Sequence, residues 1–442
     1  MKRFKLLCLS VIAAATSGLA QAPMSLKDCI DYTLKNNPSN SVYDNQVKLA
    51  EAQKLEALSG YLPQVNGSGT LDDNLKRQVT VIPAGAFSPT DLTVQFGNQY
   101  NTSLTLQAEQ VIYDQSLLTG IKANKPNVEL AELKKLRNDD DLIYSTASAY
   151  YQVLIYKEQV KLLGENEKKL FDLLAVQKLQ YEKGVITRVN YNRVQVNYNN
   201  VVSQKKVAET NYDLAMSRLK NAMGIPVEKQ VAVVDTINYK QDVEMPVTTD
   251  FNIKNKPDFM ILEKTITLQE IDLKRKRATT LPTLSVYGRY GANAFGNDFS
   301  ESFNHWYDYS VVGLKLNVPL FSGLRRYSQI KQSEINLYNS RQNLVINTES
   351  IKLQLQSANT QLLSSYTNLL SNKNNIELAK TVFDDTGLQY QKGAASLTDF
   401  LNADYSYKEA QANYINSLLN YLIARIDLER SKGTIKQFVN QL

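Results

Sequence analysis

The sequence predicts a mainly α protein with a small β part. It is internally duplicated, with four membrane-crossing β-strands and very long coiled-coil helices in each chain. Three observations carry that prediction. The chain repeats itself, because Pro38 and Pro63 recur as Pro257 and Pro282, both shifted by 219 positions. Further on, Leu179-Gln180-Tyr181-Glu182-Lys183-Gly184 recurs as Leu388-Gln389-Tyr390-Gln391-Lys392-Gly393, shifted by 209. Self-similarity on this scale marks two copies of one large unit. Apolar residues then recur every seven positions over long stretches, as coiled-coil helices require. Finally, four short segments switch to a period of two, the pattern of strands with one apolar and one polar face.

The N-terminus reads as a secretory signal over residues 1–20: Lys2, Arg3 and Lys5 precede an apolar run from Leu6 to Ala15, and small residues lead to Ala20. Cleavage after Ala20 is preferred to Ala22, which would leave Pro23 first. The apolar run falls short of the ~20 residues that span a bilayer. Cys8 leaves with the signal and lacks a preceding small residue, which argues against a lipoprotein. Cys29 is then alone, so no intrachain disulfide is expected.

The first repeat is assigned to residues 21–225. Ser25 and Asp28 start a helix in capping-box style, and Pro38 ends it. A second helix follows over about 39–59, and stacked end to end with the helix of 187–223 it would nearly match one long helix. Strands are expected at about 64–74 and 99–110, joined through a loop near Pro83 to Pro89. In the second of them Tyr100, Thr102, Leu104, Leu106 and Ala108 alternate with polar residues. A long helix follows, with Leu142, Ala149, Tyr156, Leu163 and Leu170 at heptad spacing and a kink expected at Pro126. A hairpin tip at about 181–190 turns the chain back.

A linker occupies 226–255, and the second repeat runs over 256–442. Its strands are expected at about 283–293 and 308–318, and its tip at about 390–399. Leu355, Leu362, Leu369, Ile376, Phe383 and Tyr390 form the heptad series of its long helix, which spans ~105 Å if continuous from Ser322 to Gly393. The two returning helices share a seam: Val194, Tyr198, Val201, Ala208, Tyr212, Ala215 and Leu219 match Ala403, Tyr407, Ala410, Ser417, Tyr421, Ala424 and Leu428. These tyrosines read as packing residues rather than a ligand surface.

Composition excludes several functions. The formal charge is +6, of which the signal carries three, so nucleic acid is not an expected partner. His305 is the single histidine, and no phosphate loop, nucleophile triad or paired-carboxylate site is found. No enzyme activity, metal or cofactor is therefore expected. Four strands of about ten residues can cross an outer membrane when tilted, but cannot close a barrel. The chain must therefore associate, as two copies with eight strands or three with twelve.

The Asn37-Pro38 start, Leu62-Pro63 and Leu281-Pro282 before the strands, and Val318-Pro319-Leu320-Phe321-Ser322-Gly323 resemble the TolC-like outer-membrane efflux family. So do the paired turns Tyr181, Gly184, Thr187 and Tyr390, Gly393, Ser396. The resemblance covers essentially the whole mature chain. It implies a homotrimer with a 12-strand β-barrel in outer-membrane lipid, continuous with an α-helical barrel in the periplasm of a Gram-negative bacterium. It also implies an exit duct that docks a periplasmic adaptor and an inner-membrane pump of the RND or ABC type, for efflux or type I secretion. The alternative reading is a periplasmic coiled-coil adaptor or scaffold that never enters the membrane.

Candidate residues follow from the same resemblance. Gly184, Val185, Thr187, Gly393, Ala394 and Ser396 would dock the adaptor, although αα-hairpin chemistry accounts for the same residue types. Asp399, Asn402, Asn190 and Tyr390 would form the periplasmic gate. The family carries acids at two of these positions; here Asp399 is kept and Asn402 departs from the pattern. Arg193 stands beside Asn190 as the counterpart of Asn402. A helix start favouring Asp explains Asp399 equally well. Trp306, Tyr307 and Tyr309 are expected in an aromatic girdle at the membrane surface.

Overall fold

The computed structural model describes residues 23–85, 89–234 and 251–441. The signal segment and most of the linker lie outside the described residues. The chain divides into two compact units, one of residues 1–40, 138–251 and 353–442, the other of 41–137 and 252–352. Each unit draws on both sequence repeats, so compactness divides the chain along a different line from self-similarity. The cuts fall inside long helices, whose continuous backbone lets one element serve two units.

The first unit is helical. Helix α1 (Leu26–Asn36) opens with the Ser25–Asp28 capping box, and Asn37 closes it in an extended conformation. Helix α2 (Pro38–Ser59) starts at once, with proline tolerated in its first turn, and from Ser41 onward belongs to the second unit. In the second unit follow β1 (Gln64–Asp73), β2 (Val79–Ile82), β3 (Leu92–Gln95), β4 (Tyr100–Tyr113) and helix α3 (Gln115–Ile121). Helix α4 (Asn124–Glu182) is 59 residues long and α5 (Arg188–Met223) returns from it. Pro126 lies in the first turn of α4, where its missing N–H has no carbonyl to serve. The expected kink is therefore a helix start.

After the linker come α6 (Pro257–Ala278), β5 (Thr283–Gly296), β6 (Trp306–Asn317), α7 (Arg325–Gln391), α8 (Leu397–Lys432) and α9 (Ile435–Gln441). Helix α7 has 67 residues. Its heptad positions Leu337, Ile351, Ala358, Leu362 and Leu369 are buried, while most of its surface remains open. Near its middle α4 differs. Tyr150, Tyr151, Val153, Leu154 and Ile155 are all buried there, so this stretch is enclosed on several faces rather than along one seam. These side chains join Leu26, Cys29, Leu219, Tyr421 and Ile435 in one core. Burial pushes the Cys29 thiol up to about 12. The chain before α1 is tied to the linker, because Met24 bridges Val233 and the Tyr150 hydroxyl reaches the Val234 carbonyl.

The second unit is built on a four-stranded sheet in the order β1-β4-β5-β6, antiparallel throughout. Register settles its two faces. Val65, Ala108, Gly288 and Val312 share a row, and Gly69, Leu104 and Ala292 share another that ends at Asp308, giving a face that is apolar except toward the β5–β6 hairpin. That face is open: Val312 is 83% exposed, and Leu104, Leu106, Leu314 and Leu316 are also exposed. The opposite face is polar. There Arg289 donates from Nε and Nη2 to Gln107 Oε1 at 3.1 and 2.9 Å, and the Ser285 hydroxyl donates to Glu109 at 3.0 Å.

The strands depart from expectation at their ends. β4 reaches Tyr113 rather than 110, β5 reaches Gly296 rather than 293, and β6 starts at Trp306 rather than 308. A short 3-10 turn, Glu301–Phe303, continues the β5–β6 hairpin, with Ser302 fully buried and Phe299 against both Tyr100 and Phe303. The predicted loop between the first two long strands contains β2 and β3, paired from Val79↔Gln95 to Ile82↔Leu92. Their β-branched content favours pairing over coil.

Candidate functional site: two hairpin turns and a two-faced sheet

The two predicted hairpin turns lie in the helical unit and share one backbone design. α4 and α7 each end in a glycine with left-handed backbone, Gly184 at φ 73° and Gly393 at φ 74°. The bonding is matched. Gly184 N–H donates to Tyr181 O and Val185 N–H to Gln180 O, at 2.9 and 2.8 Å. Gly393 N–H donates to Tyr390 O and Ala394 N–H to Gln389 O, at 3.0 and 2.8 Å. Both are Schellman closures, which satisfy the last carbonyls of a helix and require φ near the glycine region. An aromatic pair braces each turn. Tyr181 stacks on Tyr191 at 5.6 Å and Tyr390 on Phe400 at 5.4 Å.

The returning helices begin differently. Thr187 caps α5 through one contact of 3.4 Å from Asn190 N–H. Ser396 caps α8 at 3.2 Å from Asp399 N–H, and the Asp399 carboxylate accepts from the Ser396 hydroxyl at 2.7 Å and its N–H at 3.2 Å. These hydrogen bonds from Ser396, the side-chain one foremost, hold the Asp399 carboxyl below the usual carboxylate range. Asp399 and Asn402 are both exposed, whereas Asn190 is half-buried. Gly184, Val185, Thr187, Gly393, Ala394 and Ser396 are exposed as well. The turns thus present a continuous set of accessible backbone and small side chains.

Tyr390 is engaged within the chain. Its hydroxyl accepts from Gln177 Nε2 at 2.8 Å, and Gln177 is buried. Around it Leu173, Leu174 and Phe400 pack on Val194, Leu397 and Leu401. A second bond ties the hairpins, as Arg193 Nη1 donates to Thr398 Oγ1 at 2.7 Å. The sequence reading did not find Gln177, although a signal was present. It falls one heptad after Leu170, a polar residue on a core position. No comparable signal marks Thr398.

The aromatic residues of β6 separate. Trp306 shares a row with Ala294 and Thr102 on the apolar face. Tyr307 and Tyr309 fall on the polar face, because successive strand residues point to opposite sides. Tyr309 lies over Gly291, where an added Cβ would sit 2.6 Å from its ring, and its hydroxyl is 3.2 Å from Thr105 Oγ1. Tyr307 packs near Phe295 at 6.1 Å. Of these residues, Trp306 alone shares the apolar face, so the three do not lie on one side of the sheet.

Long heptad helices, paired turns and a sheet with one open apolar face define a β-strand-inserted channel protein with a helical part. The model of the family described as outer membrane efflux protein matches residues 29–225 and 253–434, and the chain belongs to that family. Outer membrane protein TolC of Escherichia coli is 21% identical over 350 residues, covering 77% of this chain and 71% of the relative. Alkaline protease secretion protein AprF of Pseudomonas aeruginosa is 21% identical over 340 residues, covering 75% and 70%. The crystal structure of the Campylobacter jejuni CmeC outer membrane channel superposes with a TM-score of 0.76 at 17% identity, covering 93% of this chain and 86% of that one. The protein is an outer-membrane exit duct with its helical tunnel in the periplasm. The family is one of channel and transport proteins, and the reading as a soluble periplasmic adaptor is not favoured.

Proposed function

We propose that three copies of this chain close one 12-strand barrel, and that the resulting duct is passive. The observation that carries this is the sheet itself. Its edges, β1 and β6, are unpaired in the single chain, and Leu104, Leu106, Val312, Leu314 and Leu316 on one face are exposed. Open edges are not viable in lipid. The four strands alternate in direction, so β6 of one copy can take β1 of the next antiparallel, and no parallel pair is needed at closure. Twelve strands leave an open lumen, whereas eight would be filled by side chains. In this arrangement residues 21–225 and 256–442 act as two structural repeats joined by 226–255, and Trp306 lies at the lipid boundary.

The exposed turns Gly184, Val185, Thr187 and Gly393, Ala394, Ser396 dock a periplasmic adaptor, which links the duct to an inner-membrane RND or ABC-type transporter. Asp399, Asn402, Asn190 and Tyr390 form the periplasmic constriction. A ring of Asp399 carboxylates, held below the usual carboxylate range by Ser396, selects by charge.

Two measurements test this. An unheated gel should show a species of three chains, each 49.9 kDa before processing; a two-chain species would replace twelve strands by eight. Asp399→Ala should raise single-channel conductance or weaken block by multivalent cations. Unchanged conductance together with unchanged block would remove Asp399 from the gate.

A further inference from the structure

Between β6 and α7 the chain runs through Val318-Pro319-Leu320-Phe321-Ser322-Gly323-Leu324, and this junction is apolar and uncovered. Leu320 is 91% exposed, Phe321 85% and Leu324 69%. Val318 and Leu320 prolong the alternation of Val312, Leu314 and Leu316, so the open apolar stripe of β6 continues past the strand end. Leu324 has φ 66°, the one non-glycine residue with positive φ among those described. Left-handed backbone is unfavourable for a residue with a Cβ, and glycine would avoid it.

Basic residues border this surface. Arg325 and Arg326 occupy the first turn of α7, which contains no acid. Positive charge is unfavourable at a helix start, so helix chemistry does not explain them. Among the described residues neither has an ion-pair partner. The last turns of α6 add Lys274, Arg275, Lys276 and Arg277. Arg275 pairs with Asp272 and Arg277 with Glu334 of α7, at 2.7 and 2.9 Å; Lys276 also acts by its charge on the Asp272 carboxylate, and Lys274 forms no ion pair among the described residues. The Arg277–Glu334 pair and the Ser333–Asp272 hydrogen bond of 3.0 Å set the end of α6 against the early turns of α7. The pairing of Thr283 with Asn317 brings both chain segments to the same end of the sheet. That end leads into the helices and so faces the periplasm.

We propose that this junction is a docking surface for anionic phospholipid of the leaflet that faces the periplasm. Leu320, Phe321 and Leu324 enter the acyl boundary, and Arg325, Arg326, Lys274 and Lys276 bind headgroup phosphates. Two observations select lipid as the occupant: continuity with the sheet's lipid-facing stripe, and a charge opposite to that of the headgroup. The inference rests on the outer-membrane placement of the sheet.

The test uses the full-length processed protein in nanodiscs of phosphatidylcholine alone or with phosphatidylglycerol, with lipid retention read by native mass spectrometry. A basic side chain near an anionic surface strengthens association about fivefold. The wild type should therefore retain phosphatidylglycerol selectively, and R325Q/R326Q should reduce that retention by about tenfold or more. K274Q/K276Q should give a second, salt-sensitive loss, and no variant should alter retention of phosphatidylcholine. Equal retention of both lipids by the wild type, or unchanged retention in both double variants, overturns the proposal. Loss of the multi-chain species on the unheated gel in R325Q/R326Q would instead assign the junction to a second copy of the chain, and also overturns it. Single-channel conductance of the wild type in a planar bilayer separately checks the barrel, so failure of the lipid site and failure of the duct reading are distinguishable.

Discussion

The two hairpin turns close alike and open differently. Their Schellman bonds, left-handed glycines and stacked aromatic pairs match position for position at a shift of 209. Past the turn the likeness ends. Leu397 and Leu401 are buried against Val194, while their counterparts Arg188 and Asn192 are exposed. Tyr390 is bound by buried Gln177, while Tyr181 stays exposed. Ser396 and Asp399 form a reciprocal box, where Thr187 and Asn190 make one long contact. One turn design occurs twice, and the second turn is the more firmly anchored.

The comparison can be broken most strongly in the apolar cluster. Leu401→Ala removes a buried side chain and should cost roughly 2–4 kcal/mol of local stability. Asn192→Ala, on the exposed equivalent, should stay within about 0.5 kcal/mol. Amide hydrogen exchange over the first turns of α5 and α8 reads both, and equal losses would refute the asymmetry. Next in size is Tyr390→Phe, expected to cost about 1–2 kcal/mol because buried Gln177 loses a partner. Adding Gln177→Leu should recover much of that loss, whereas Tyr181→Phe should have no measurable effect. A double-mutant cycle checks this.

Ser396→Ala should cost about 1 kcal/mol at the start of α8, and Thr187→Ala less, given its 3.4 Å contact. Exchange rates at the Asp399 and Asn190 amides compare the two caps. The finest test is pH. Because the folded Asp399 carboxyl lies below its usual range, its contribution is complete above that range and is lost as pH falls through the lowered value. Exchange at the first turn of α8, corrected for intrinsic rates, should accelerate on acidification, and Asp399→Asn should abolish the acceleration. The first turn of α5, with Asn190 in the same place, should show none.

Much of this was legible in the residues. Ser25 with Asp28, the glycine turns, the Ser396 and Thr187 caps and the heptad positions of α7 all depend on neighbours a few residues away. Period-two alternation revealed β4, β5 and β6 for the same reason. Other features were written but read differently. Val79–Ile82 and Leu92–Gln95 carry strand-forming residues inside a segment assigned to a loop, and Pro126 marks a helix start rather than a kink. Tyr307 and Tyr309 were grouped with Trp306 by proximity, although alternation alone assigns the three to opposite faces.

The sequence by itself determined the duplication, the helices, the strands and the turn chemistry, because each follows from periodicity and from bonds spanning at most five positions. Only tertiary structure decided that Gln177 meets Tyr390 and Arg193 meets Thr398, pairs separated by 213 and 205 positions. It alone laid Tyr309 over Gly291, left the stripe from Val312 to Leu320 uncovered, and cut the compact units across both repeats. Such pairings depend on how whole helices and strands pack, and no local pattern encodes which distant residue arrives at a given face.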